Sequence, residues 1–355
     1  MIIVVLISLA IHCAFYLIIF SRLALYQEDS KAETNKKSSI IICYKNEEED
    51  INENLPLILQ QSFEELILVD DNSTDNTLER LNTYDSKKVR ILALQNTSAG
   101  KKKALAKGIQ VADNDIILLT DADCRPASQY WSALMGYRDT PFVLGYGPMN
   151  KVKGIVGLFS RFETYITALQ YLSYALIGIP YMGVGRNMRI DKETVVTNKD
   201  KVKGSNLASG DDDLMINTLA NKDNTTICIH SDSFMYSNPK TTLKSFLNQK
   251  TRHISTSVYY RPIHQILLTL FSASQLIFFI GLILGLVLGT ITFKIALLLL
   301  VTKWVIQQAI NLPIMKKLKE EDLFWKFPIL DVLFFVYLLV MPFYYFINKN
   351  NSRWS

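Results

Sequence analysis

Four long apolar runs punctuate the chain: Met1–Phe20, Ile266–Leu288, Ile295–Ile314 and Phe327–Ile347. Each is about 20 residues, which as a helix matches a hydrocarbon core of roughly 30 Å. Residues 1–21 and 262–293 contain no Asp, Glu, Lys or Arg. Lys303 is the odd residue, a charge near the middle of the third run, where insertion costs about 2.5–3.5 kcal/mol. Either it faces a polar cavity or that span is displaced by a turn. The pattern divides the chain into an N-terminal membrane helix (1–26), a soluble domain (38–262) and a membrane region of about three helices (263–348).

Within 38–262 the apolar period changes repeatedly between two and 3.6, which predicts strands alternating with helices. Ser39–Cys43, Glu65–Asp70, Val89–Leu94 and Ile116–Thr120 read as strands. Glu47–Gln61, Asp75–Tyr84 and Lys101–Val111 read as the helices between them. That alternation implies an α/β domain with a parallel sheet and right-handed crossovers. Further on, Phe142–Tyr146 and Thr226–His230 read as strands and Asp211–Leu219 as a helix. Leu158–Ile179 is apolar and aromatic but holds Arg161 and Glu163, so it packs in the domain or lies on the membrane surface. Leu243–Tyr260 is a basic amphipathic helix of the kind that lies in a membrane interface.

Charge then orients these pieces. Arg22, Lys31, Lys36 and Lys37 follow the first run, and Lys316, Lys317 and Lys319 follow the third. The positive-inside rule places the domain and the 316–326 loop in the cytoplasm, as part of an integral protein of the cell membrane. Lys349 and Arg353 then end outside, against the rule. A cleaved signal peptide would want its positive charge before the first apolar run, and Arg22 comes after it. The net charge of +5 comes from scattered lysines with no dense basic run among aromatics, which argues against nucleic acid as a partner. Cys13, Cys43, Cys124 and Cys228 show no metal-ligand spacing, and a reduced compartment needs no disulfide among them.

The candidate chemistry centres on Asp115–Arg125, where a buried strand runs into Asp121 and Asp123. Ligands of an open α/β sheet collect beyond the carboxyl ends of its strands. Two acids there form a hard-oxygen site suited to Mg²⁺ or Mn²⁺ and to a substrate's phosphates. Asp71 ends the second strand at the same edge, where an acid can accept from a nucleobase or a ribose hydroxyl. Gly100 and Lys101–Lys103 open a helix, an arrangement that favours bound phosphate. Asp211, Asp212 and Asp213 crowd another helix start; the macrodipole accounts for one or two, and one is a candidate general base. Gln249, Arg252 and His253 offer an amide, a guanidinium and an imidazole on adjacent turns, the guanidinium suiting a diphosphate. Gly183–Met188 is a tight, glycine-bearing segment that permits close backbone approach. There is no GxGxxG after the first strand, which counts against a dinucleotide-binding domain.

In order along the chain, Cys43–Glu48, Val69–Asp75, Gly100-Lys101, Asp121-Ala122-Asp123, Gly210-Asp211-Asp212 and Gln249-x-x-Arg252 resemble the motifs of membrane-bound family 2 glycosyltransferases. That group includes hyaluronan, cellulose and poly-N-acetylglucosamine synthases and ceramide glucosyltransferase. The resemblance covers roughly residues 38–262; no single motif is specific, whereas the ordered set is. It implies a GT-A fold, a nucleotide-sugar donor with UDP as the default, and inversion at the anomeric carbon. By position it implies Tyr44, Glu47 and Asp71 on the nucleoside, Lys101 and Asp121 on the nucleotide, and Asp123 with Asp121 on the metal. Asp212 becomes the base, with Asp211 and Asp213 as alternatives, and Gln249 and Arg252 cradle the diphosphate near the acceptor. His253 stands where the family usually has Trp, and Cys43 where it usually has Pro.

About four spanning helices are too few to enclose a polysaccharide path, so a lipid-linked glycan or glycolipid acceptor is expected. A processive synthase is the alternative. A non-catalytic scaffold with the same fold is a further one. A haloacid-dehalogenase-like phosphatase is a third, but it would want Thr where Arg125 stands.

Overall fold

The structure, a computed structural model, describes residues 1–28, 36–94, 100–202 and 212–348. After helix α1 (Ile2–Leu25) the chain enters a βα alternation. It runs β1 (Ser38–Tyr44), α2 (Glu48–Leu59), β2 (Glu65–Asp70), α3 (Thr77–Asn82), β3 (Val89–Ala93), α4 (Lys101–Val111) and β4 (Ile116–Asp121). There follow β5 (Arg125–Pro126), α5 (Trp131–Gly136), β6 (Phe142–Gly145), α6 (Ile155–Leu176), β7 (Met188–Asp191) and α7 (Lys192–Thr197). Then come α8 (Asp213–Leu219), β8 (Thr225–Cys228), β9 (Met235–Tyr236) and α9 (Leu243–Ile254). Helices α10 (Pro262–Val287), α11 (Phe293–Leu318) and α12 (Phe327–Asn348) close the chain.

Seven strands form one sheet in the order β3-β2-β1-β4-β7-β6-β8. Its strands are apolar on both faces, as parallel strands covered by helices must be. Side-chain alternation separates the two layers. Ile41, Ile67, Val69, Ile117 and Leu119 face one core, while Ile40, Ile42, Leu66, Leu68 and Leu118 face the other. Helix α4 packs close to β1 because Gly108 lacks a side chain; a Cβ there would stand 2.7 Å from Ile41 Cγ2. Strands β1 to β4 are mutually parallel. The expected parallel pairing holds among β1 to β4; β7 is the exception, running antiparallel to both β4 and β6. Its four residues, Met-Arg-Ile-Asp, are too few to register as a period in the sequence.

The strand order reverses at β1, with β2 and β3 laid on one side and β4 on the other. This is the switch point at which an α/β sheet opens a crevice. Register places Cys43 beside Asp121 at that crevice.

Four helices, α1, α10, α11 and α12, are long and apolar enough to cross a membrane. Their domain-side ends merge with the sheet's lower core through α6, so that Phe20, Tyr165, Leu169, Met315 and Phe334 belong to one apolar cluster. Helix α6 is packed rather than lying free: Arg161 is 4% and Glu163 8% exposed, each held by an ion pair. Lys303 faces neither a polar cavity nor a displaced boundary. It is buried in the bundle and paired with Asp331 of α12 at 2.6 Å. The basic helix expected over Leu243–Tyr260 ends at Ile254 and is followed by a short turn at Ser257–Tyr259.

Candidate active site

A cavity of about 440 Å³ lies over the β1–β4 switch point and runs down to the membrane helices. Its upper wall carries Lys45, Glu47, Lys101, Asp121 and Asp123, its far wall Arg186 and Asp212, and its roof Gln249, Arg252 and His253. Tyr181, Tyr260, Leu268 and Tyr337 line it as well, the last two from α10 and α12. The volume lies within the range of small-molecule sites.

Each carboxylate is placed by its element. The last residue of β4 is Asp121, which accepts a hydrogen bond from Lys101 Nζ of α4 at 2.6 Å. The turn after it is braced from α2, where Asn54 Nδ2 donates to Ala122 O at 2.9 Å and Asn54 Oδ1 accepts from Arg125 Nε at 2.8 Å. That bracing fixes Asp123, and ligand atoms of Asp121, Asp123 and Cys124 all fall within 4.8 Å of one another. Burial and the neighbouring Asp121 charge raise the pKa of Asp123. Glu47 is raised to about 8 by burial, by a hydrogen bond with Asp50 and by the Asp123 charge. Burial and these carboxylates push the Cys124 thiol well above its ordinary value, so it stays protonated and donates to Asp123 Oδ1 at 3.3 Å.

The opposite wall is built around Asn187. Its amide donates to Tyr146 O at 2.7 Å and Ser233 O at 2.8 Å, and it accepts from Trp131 Nε1 at 2.8 Å. This buried node pins the Gly183–Met188 turn and so presents Gly185 and Arg186. Gly185 N–H donates to Asp212 Oδ2 at 2.6 Å, and Asp213 N–H donates to Asp212 Oδ1 at 2.9 Å. A Cβ at Gly185 would lie 3.0 Å from Asp212 Oδ2, so only glycine seats the carboxylate comfortably. Asp213 turns the other way. Its Oδ2 accepts from Tyr260 Oη at 2.6 Å and from the Thr256 hydroxyl, and its Oδ1 accepts from Leu214 N–H at 2.8 Å.

The structure thus brings together Glu47, Lys101, Asp121, Asp123, Asp212, Asp213, Gln249, Arg252 and His253 around one cavity. It sets Tyr44 and Asp71 behind the wall. The Tyr44 ring is 1% exposed in the upper core, and Asp71, fully buried, accepts from Gly100 N–H at 2.8 Å. Neither residue lines the cavity, although both stand at the strand ends that edge it. Asp211 lies outside the described residues. Helix α8 begins at Asp213 with Asp212 as its N-cap. His253 is drawn well below its ordinary pKa by enclosure deep in the cavity and by Lys250, Arg252, Arg186 and Lys101 around it.

Sequence reasoning missed Lys45, Arg186 and the buried pair between Glu163 of α6 and Lys250 of α9, all of which line the cavity. Lys45 directly follows a strand end, a position the switch-point rule could have flagged. Arg186 sits in the glycine-bearing turn and shows its role only once that turn is folded.

A crevice at the switch point of a mixed seven-stranded sheet, edged by paired carboxylates and cations, defines a GT-A-type domain. Residues 39–163 match the model for "Glycosyl transferase family 2", and that stretch of the chain is a glycosyltransferase family 2 domain. Among curated proteins, the chain is 32% identical over 130 residues to a poly(ribitol-phosphate) beta-glucosyltransferase of Bacillus spizizenii, covering 34% of this chain and 20% of that protein. It is 34% identical over 107 residues to an undecaprenyl-phosphate 4-deoxy-4-formamido-L-arabinose transferase of Proteus mirabilis, covering 26% and 31%. The matched region therefore spans between a fifth and a third of those relatives. Among solved structures, a mannosyltransferase from Pyrobaculum calidifontis, in complex with GDP-Man and Mn²⁺, superposes with a TM-score of 0.56 at 17% identity. That match covers 94% of this chain and 98% of the other, and it extends the shared fold beyond the family 2 segment.

Proposed function

We propose that this protein is an inverting glycosyltransferase that moves a sugar from a nucleotide-diphosphate donor to a hydroxyl of a membrane-associated acceptor. The observation that carries the reading is Asp212. Its carboxylate is aimed into the same cavity as Lys101, Asp121 and Asp123, and is held there by two backbone N–H groups. A hydroxyl is a poor nucleophile at neutral pH and needs such a base within hydrogen-bond reach.

The donor's diphosphate lies against Lys101, Arg186 and Arg252, whose cationic groups offset the charge that develops as it leaves. The acceptor oxygen forms its bond to the anomeric carbon as the carbon–oxygen bond to the diphosphate breaks. The bonding pair departs with the diphosphate, and the proton passes to Asp212. Attack from the opposite face with no covalent enzyme intermediate inverts configuration. Asp213 is the alternative base; its Oδ2 accepts from two side-chain hydroxyls, those of Thr256 and Tyr260, whereas each Asp212 oxygen accepts from a single backbone N–H.

Asp121 and Asp123 fit a hard divalent cation, Mn²⁺ or Mg²⁺. Both offer oxygen ligands, their mutual repulsion is relieved by a cation, and the Cys124 sulfur grouped with them is held as a thiol. When bound, the ion would neutralise charge on the diphosphate. UDP is the default nucleotide of the donor, with GDP the alternative that the Pyrobaculum neighbour's ligand suggests.

The acceptor is a lipid-linked glycan or glycolipid, since the cavity reaches residues of α10 and α12, Leu268 and Tyr337. The domain faces the cytoplasm of a cell membrane. Purified protein in vesicles with labelled donor tests this: Asp212→Asn should lower sugar transfer about 10³-fold while nucleotide binding persists. Unchanged transfer in Asp212→Asn overturns the mechanism. A long polymer delivered to the far side of the vesicle overturns the acceptor and favours a processive synthase.

A further inference from the structure

A second hollow, of about 340 Å³, lies between the first turn of α6 and the 319–326 connection that joins α11 to α12. Because both of those helices are long and apolar enough to span, their connection lies at the bilayer surface on the domain's side. The hollow is lined by Lys151, Ile155, Leu158, Arg161, Asp322 and Lys326 among others, three cations to one carboxylate. Asp322 is already satisfied. Arg161 Nη1 donates to its Oδ2 at 2.8 Å, and the guanidinium holds the carboxyl well below the usual range. The second carboxylate on Arg161, Glu320, points inward to accept from Tyr146 Oη at 3.0 Å. Lys151 and Lys326 also lean on Asp322, at 2.8 and 3.4 Å, but their side chains are 63% and 48% exposed. Against Asp322 and Glu320 the three cations leave one positive charge over, and it is carried at the exposed lysines. Large apolar side chains are exposed here: Ile155, which lines the hollow, is 60% exposed, and Trp325, the residue before the lining Lys326, is 86% exposed, as a membrane interface accommodates. The start of α6 forms one wall, adding the partial positive charge of a helix N-terminus.

We propose that this hollow binds the phosphate-bearing headgroup of an anionic membrane lipid, held by Lys151 and Lys326, with its acyl chains passing Trp325 and Ile155. Basic pockets at the membrane-side ends of helices take such headgroups. The site rests on the helices crossing a bilayer and not on sugar transfer, so it stands or falls apart from the proposed reaction. Through Arg161, Glu320 and Tyr146 it also abuts the wall of the catalytic cavity, which Tyr146 lines.

The test is native mass spectrometry of the whole chain released from phosphatidylcholine nanodiscs containing phosphatidylglycerol. Wild type should retain phosphatidylglycerol in preference to phosphatidylcholine. The double variant K151Q/K326Q should retain about tenfold less. A second double variant, K87Q/K88Q, removes the same charge from the turn before β3 and should retain as much as wild type. Equal retention by wild type and K151Q/K326Q overturns the site, and so does equal loss in both double variants. If millimolar glycerol phosphate stabilises the lipid-free protein against heat as strongly as phosphatidylglycerol does, a soluble phosphate is the ligand and the lipid assignment is overturned.

Discussion

Two lysine–carboxylate pairs in this molecule have the same length and opposite meanings. Lys101–Asp121, in the switch-point cavity, and Lys303–Asp331, in the helix bundle, are both 2.6 Å apart. The side chains of the first are 26% and 31% exposed, those of the second 0% and 5%. Around the second, every direction is taken. Asp331 accepts from Trp304 Nε1 at 3.0 Å and Gln275 Nε2 at 2.9 Å, and Lys303 donates to Gln307 Oε1 at 3.1 Å. Gln307 reaches on to His12 and Tyr16 of α1, each at 3.2 Å, so the cluster joins all four helices. The first pair opens onto a cavity, and a ligand can replace one partner for the other. Distance alone does not separate a structural pair from a functional one; what surrounds it does.

The largest expected effect lies in the bundle. Lys303→Met strands a buried carboxylate and should cost about 3–5 kcal/mol, read as loss of folded protein in detergent-solubilised membranes. Replacing both partners, K303M/D331L, should restore most of that stability, because two apolar side chains of similar volume remove the unpaired charge. Were the double variant as unstable as the single, the pair would be doing more than satisfying itself. In the cavity the outcome should invert. Lys101→Met should leave the melting temperature within a few degrees and lower transfer about 10²-fold, since it removes one donor to the leaving diphosphate. A collapse of folding like that of Lys303→Met would erase the distinction between the two pairs.

The smallest effect concerns pH. The folded pKa of Glu47 is raised to about 8, above its unfolded value, so the penalty for ionising it grows as pH rises toward 8 and is complete above that. Ligand-free Glu47→Gln should therefore melt a few degrees above wild type at pH 9 and alongside it at pH 5. Equal melting temperatures at pH 9 would mean that Glu47 is freely solvated.

Much of this was legible in the sequence, for identifiable reasons. Strands β1, β2 and β4 are unbroken apolar runs, and each ends in the turn residues or acids that mark a sheet edge. Asp121, Asp123 and Lys101 stood out because strand ends and helix starts converge on the switch point whatever the tertiary detail. The parts that stayed hidden depend on contacts between distant segments. Arg186 lines the cavity only because Asn187 is clasped by Trp131, Tyr146 and Ser233. Tyr44 follows a motif outward in sequence but inward in space, since its position on β1 points into the upper core. Lys303 looked anomalous by itself; its explanation, Asp331, lies 28 residues away on another helix.

The first helix makes its closest partnership at the far end of the chain. His12 meets Ser274 at 3.0 Å across 262 residues, and Gly281 admits Val5 so closely that a Cβ there would stand 2.6 Å from it. Lys317 then caps the end of the same helix through the carbonyls of Leu23, Ala24 and Tyr26. At ordinary translation rates of about 5–20 residues per second, that partner leaves the ribosome roughly 10–50 s after the first helix does. The whole α/β domain is synthesised in the interval, while His12 and Tyr16 are without the groups that match them. A chain stopped short of α10 therefore lacks both Ser274 and Gln307, the groups that His12 and Tyr16 meet in the finished fold.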